Sequence, residues 1–82
     1  MDNLKEALQT AMNSTNPMRG LDKFKWIFAG SFEANGCNYA FYAEVHTLKA
    51  TIRCTNGRNY GNHWFDIDIN YDENDNHIVH VL

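Results

Sequence analysis

The chain reads as an α+β domain: an N-terminal helix packed on one face of a 4-5-stranded antiparallel β-meander. Three observations predict it. Residues 2–13 repeat apolar side chains at helical spacing. From residue 24 onward, short stretches alternate apolar and polar residues with a period of two. The apolar parity then carries through every hairpin turn without conflict, so one sheet face is apolar throughout.

The helix is expected over residues 2–13, with Leu4, Leu8, Ala11 and Met12 as its stripe and Lys5, Glu6 and Gln9 on its wet face. Asn3 followed by Glu6 fits a capping box. The run Asn13-Ser14-Thr15-Asn16-Pro17 ends the helix, because short polar side chains compete for the backbone and Pro lacks a donor.

The first strand is expected over 24–32, with Phe24, Trp26, Phe28 and Phe32 inward. Asn35-Gly36 is the strongest hairpin signal in the chain, since both residues tolerate positive φ. It sets Phe32 opposite Tyr39, Phe28 opposite Ala43 and Trp26 opposite Val45. The second strand, 38–45, turns Tyr39, Phe41, Ala43 and Val45 inward, and the third, 48–54, buries Leu48, Ala50, Ile52 and Cys54. A tight turn at His46-Thr47 sets Glu44 opposite Lys49. A longer turn sets Cys37 opposite Cys54, and a slip of two residues leaves the faces unchanged, so both registers stay open. The fourth strand, 62–71, shows Phe65, Ile67, Ile69 and Tyr71 on one face and Trp64, Asp66, Asp68 and Asn70 on the other. Pairing across Asn56-Gly57 puts Ile52 near Phe65 and Ala50 near Ile67. A polar turn, Asp72 to Asn76, leads to a last strand at 77–82. The helix stripe is expected to cover Trp26, Phe28, Phe41, Ile52, Phe65 and Ile67.

Eighty-two residues make a single domain, 1–82. Such a chain buries only about 60–65% of its unfolded surface, so its eleven aromatic residues matter to the core. A net charge of −3 argues against direct nucleic-acid binding, which usually needs a basic face. No apolar run approaches the ~18 residues of a membrane span, and the N-terminus lacks a signal-peptide layout. Cys37 and Cys54 match no zinc or redox spacing. A cytoplasmic protein with free thiols is expected, with no cofactor and no metal.

Each polar cluster has a plain structural reading. Asp66 and Asp68 sit on one strand face, where they suit either a cation or pairing with Lys49 and Arg53 on the next strand. His46, His63, His77 and His80 show no ligand spacing. Asp72 to Asn76 lacks the glycine and closing glutamate of a calcium loop. The uncovered sheet face stands apart: aromatic residues rimmed by charges make up an interface. Tyr42, Glu44, Arg53, Trp64, Asp66 and Asp68 are the expected partner-binding residues.

The expected function is that of a small acidic protein-binding or inhibitory module, not an enzyme. Small acidic inhibitors carried by phage and mobile elements, anti-CRISPR proteins among them, share this general build. In that reading the partner is a protein, within a nucleic-acid-binding complex, whose basic groove takes the carboxylates in place of phosphates. The alternatives are a small hydrolase or nuclease using His63, Asp66 and Asp68, and a structural homodimer formed through the open face.

Overall fold

The computed structural model describes residues 3–18, 23–57 and 62–82. One helix, α1 (Leu4–Ser14), precedes five strands: β1 (Ile27–Ala34), β2 (Cys37–Glu44), β3 (Lys49–Cys54), β4 (Asn62–Tyr71) and β5 (His77–Val81). The strands form one antiparallel sheet in chain order. The α+β architecture predicted from the periodicities is therefore the observed one.

The hairpins set the registers. Asn35 and Gly36 both take positive φ, 54° and 77°, the geometry of a type I′ turn. It pairs Phe32 with Tyr39 and Phe28 with Ala43, as the sequence predicts. Between β2 and β3 the register is the one with Glu44 opposite Lys49, so Tyr39, not Cys37, faces Cys54. Both cysteines are free. This turn differs from expectation in one respect. Leu48 belongs to it rather than to β3, adopts φ 52° and is exposed, its N–H donating to the Glu44 carbonyl.

Between β3 and β4 the observed register departs by two residues from the expected one. Ala50 faces Phe65 and Ile52 faces His63. A two-residue slip keeps every side chain on its face, so the apolar pattern does not discriminate between the two. On the outer face either register sets a carboxylate opposite Lys49, and in the observed one it is Asp66. The connection at its β2 end is fastened by Asn56, whose Oδ1 accepts the Asn38 N–H at 2.7 Å.

β4 is shared between two neighbours. Its first half, Asn62 to Asp66, pairs with β3, and its second half, Ile67 to Tyr71, pairs with β5. That offset curls the sheet, and α1 lies in the curl against the two outermost strands, β1 and β5. Expectation placed α1 over Trp26, Phe28, Phe41, Ile52, Phe65 and Ile67, along β1 to β4. The apolar face it covers is nevertheless the expected one: Leu8, Met12, Trp26, Phe28, Phe41, Ala43, Ala50, Ile52, Ile67 and Val79 form one buried cluster. Aromatic contacts extend it, with Trp26 edge-on to Tyr71 at 5.8 Å and Phe32 stacked on Tyr39 at 5.4 Å. Phe24 is not part of it. It lies in a 3₁₀ turn, Lys23–Lys25, before β1 and is exposed.

Two helix details depart from the sequence reading. Asn3 is the N-cap, but no side-chain bond closes a capping box. Gln9 does not face solvent alone: its Oε1 accepts the Val81 N–H at 3.0 Å. One turn on, Asn13 donates Nδ2 to the Val79 carbonyl at 3.1 Å and accepts the Val79 N–H at 2.7 Å. A primary amide presents a donor and an acceptor side by side, as a peptide group does. Asn13 and Gln9, four apart on one helix flank, thus pair the outer edge of β5 as a further strand would. His77 adds a third link, its Nε2 lying 3.2 Å from the Met12 carbonyl.

Asn13→Ala leaves both polar backbone groups of Val79 unpaired in a partly buried position, and we expect a loss of about 1–3 kcal/mol. Urea denaturation checks this, with Thr10→Ala on the opposite flank as a control expected within about 0.5 kcal/mol of wild type.

Candidate functional site

The sheet face away from α1 has no second layer among the described residues. The registers arrange it as a grid. One rung runs Ile27, Glu44, Lys49, Asp66; the next runs Ala29, Tyr42, Thr51, Trp64; the third runs Ser31, Ala40, Arg53, Asn62. Neighbouring strands lie about 4.8 Å apart, so Tyr42 and Trp64 stand roughly 9–10 Å apart with Thr51 between them. Two large side chains flanking a small one make a slot with Thr51 as its floor. It measures about 230 Å³ and is closed at one end by Glu44, Thr47 and Lys49. Trp64 is 65% and Tyr42 46% exposed, so the walls of the slot are its aromatic faces.

The charges at the slot are largely spoken for. The Tyr42 hydroxyl donates to Glu44 Oε1 at 3.1 Å. That bond, then partial burial and the carboxylate charge, raises the Tyr42 hydroxyl above the usual phenol range. Glu44 Oε2 also lies 3.1 Å from His46 Nε2. Lys49 Nζ lies 3.4 Å from Asp66 Oδ1.

Four of the six residues expected to bind a partner therefore meet in two adjacent rungs: Tyr42, Glu44, Trp64 and Asp66. Arg53 is one rung further on, opposite Asn62, and borders a second, shallower depression of about 190 Å³ beside Tyr42. It faces neither Asp66 nor Asp68, contrary to the pairing expected from the other register. Asp68 is apart from the slot. It lies on the half of β4 that pairs with β5, opposite His80, and accepts the Asn70 side-chain amide at 3.3 Å. Thr51 and Thr47 complete the slot and were not singled out by sequence. Only the register reveals that a small residue sits between two aromatic ones.

The remaining polar groups are dispersed. His63 pairs with Ile52, on the opposite face of β4 from Asp66 and Asp68, since side chains alternate along a strand. That separates the triad which a His63-dependent hydrolase would need. His77 is packed edge-on against Phe28 at 4.8 Å. Among the described residues no group of three His, Cys, Asp or Glu side chains is placed to hold a metal ion. The acidic turn is braced from within: Asp72 Oδ1 accepts the N–H groups of Asn74 and Asn76, both at 2.9 Å. Asp75, at φ 68°, completes the bend.

Among the described residues, no helix is long and apolar enough to cross a membrane. Compared with family models, curated proteins and solved structures, the chain matches none.

The bonds from Asn76, and then Asn74, hold the Asp72 carboxyl below its ordinary value of 3.8. A depressed folded value means that this carboxylate's contribution is fully present above the unfolded value. It is lost as pH falls through the folded one. Asp72→Ala is therefore expected to lower the denaturation midpoint at neutral pH and to flatten the acid limb of the stability profile below the usual Asp range. Thermal melts of both proteins from neutral pH into that range check it. Separately, a double-mutant cycle on Lys49 and Asp66, both largely exposed, is expected to give no more than about 1 kcal/mol.

Proposed function

We propose that this chain is a protein-binding module that docks through the Tyr42–Thr51–Trp64 slot. The observation that carries this reading is the slot itself. An indole and a phenol stand at the surface on the uncovered side of a sheet, around a floor just wide enough for an inserted side chain. Trp and Tyr are the side chains that most often anchor interfaces, and their two χ angles leave little entropy to lose on binding. The rim supplies Lys49 and Asp66 on one side and Arg53 on the other for polar contacts. The partner accordingly inserts an aliphatic or aromatic residue between Tyr42 and Trp64.

Within that class, the narrower reading is an inhibitor of the anti-CRISPR kind, a phage or mobile-element product acting on a host nucleic-acid enzyme. It would offer Glu44, Asp66 and Asp68 to the enzyme's basic groove in place of phosphates. The net charge of −3 favours it. The pairing of Asp66 with Lys49, and of Glu44 with Tyr42 and His46, reduces the charge this face presents, so we rank the aromatic slot above the carboxylates as the anchor.

Affinity capture with the tagged chain, followed by binding measurements on the captured partner, tests both. Trp64→Ala and Tyr42→Ala are expected to keep the wild-type circular dichroism spectrum and to weaken binding by more than about 2 kcal/mol each, roughly thirtyfold. Replacing Asp66 and Asp68 together by Ala is expected to act more on the association rate and its salt dependence. Unchanged affinity in the two aromatic variants would remove the slot from the interface. A Trp64-dependent dimer in sedimentation would make the partner a second copy of the chain.

A further inference from the structure

The two outer strands are treated unequally by α1, and the difference defines a second docking route, independent of the slot. The edge of β5 is occupied by Gln9 and Asn13. Among the described residues the edge of β1 is occupied only at its start, where Met18 and Ile27 exchange both backbone hydrogen bonds, at 2.8 and 3.0 Å. In an antiparallel strand the outward-facing backbone groups recur at every second residue. From Ile27 they fall on Ala29, Ser31 and Glu33. The two-residue turn after β1 gives the same phase, since Ala34 and Cys37 flank it as a hydrogen-bonded pair. Around Ser31 and Glu33 no described residue pairs with this edge. Instead a cleft of about 560 Å³ separates it from α1.

The far wall of the cleft is the other flank of α1. Ala7, Thr10, Ala11 and Ser14 line it, all small, where the β5 flank carries the long amides. The helical wall, from Asn3 to Thr15, runs roughly 18 Å at about 1.5 Å per residue. That matches about five residues of extended chain at about 3.3 Å each. An open concavity bounded by an unpaired edge and a small-residue helix is a receptacle for an added strand. Its charge selects the occupant. Glu6 and Glu33 line it, and among the described residues no Lys or Arg does. A second copy pairing edge to edge would bring both glutamate pairs together, so like charge opposes self-association there.

We propose that this cleft binds an extended, Lys- or Arg-containing segment of another protein, which adds to β1 as a sixth strand. Its backbone pairs with Ser31 and Glu33, its basic side chains meet Glu33 on the outer face, and Glu6 adds negative charge from the helix side.

The test uses the whole chain and a capped synthetic peptide, Lys-Val-Arg-Val-Lys, with Glu-Val-Glu-Val-Glu as its counterpart. Amide exchange by NMR at millimolar peptide is expected to show Ser31 and Glu33 newly protected by the basic peptide and not by the acidic one. Glu6→Lys with Glu33→Lys should reverse the preference between the peptides, weakening the basic one by about tenfold at low salt. Thr10→Trp, which fills the cleft, should abolish protection. If that variant fails to fold, the charge reversal still decides. Trp64→Ala is expected to leave peptide binding unchanged, so failure here and failure of the slot are told apart. Three results would overturn the proposal: no new protection at Ser31 and Glu33, equal binding of both peptides, or concentration-dependent protection of that edge without peptide.

Discussion

One amide holds this fold closed. Asn13 pairs both backbone groups of Val79, and with Gln9 and His77 it ties α1 to the last strand. Without that tie, β5 would present an open row of donors and acceptors beside a curled sheet, a template for pairing with other chains. With it, the helix is more than a lid. Its apolar stripe of Leu8 and Met12 fills the curl, and its polar flank finishes the sheet. A thin core of this size gains much from such economy, because α1 serves both packing and edge pairing.

The outer face follows from the same curl. With α1 inside, the convex side has nothing above it among the described residues, and its composition is decided by cross-strand pairs. Lys49 with Asp66 and Tyr42 with Glu44 are local arrangements that keep polar groups satisfied while leaving the indole of Trp64 in water. Sheets tolerate single exposed aromatics readily. Two of them framing a threonine is a shaped surface, and shape is what distinguishes a binding face from a merely apolar one.

Much of the fold was legible in the sequence, because period-two alternation assigns faces and Asn-Gly assigns turns. Phe28, Phe41, Ile52 and Ile67 are inward for that reason. What escaped was whatever parity does not encode. The Ala50–Phe65 register differs from the expected pairing by two residues and so looks identical in pattern. Phe24 and Leu48 were assigned to strands by their hydrophobicity, but backbone turns claim them. Asn13 and Gln9 read as a helix end and a wet face, since nothing local shows that a strand more than sixty residues away needs partners. The site was half legible for the same reason: Tyr42 and Trp64 share a face by parity, but that Thr51 lies between them is a fact of register.

The tie between α1 and β5 also sets an order of events. Asn13 and Val79 are sixty-six residues apart, and Gln9 and Val81 seventy-two. The hairpins of β1 to β4 close over short loops, whereas the tie from α1 to β5 spans most of the sequence. Contacts of such long sequence separation are slow to form, because chain entropy is lost before they give anything back. During synthesis, then, α1 can rest against β1 early, but the other side of its seat forms only after β5 has emerged. An eleven-residue helix is marginal alone in water. Late protection of α1 amides, after those of β2 and β3, would be its signature in pulse-labelled exchange, and the interval before it is when an unguarded β5 edge is open to other chains.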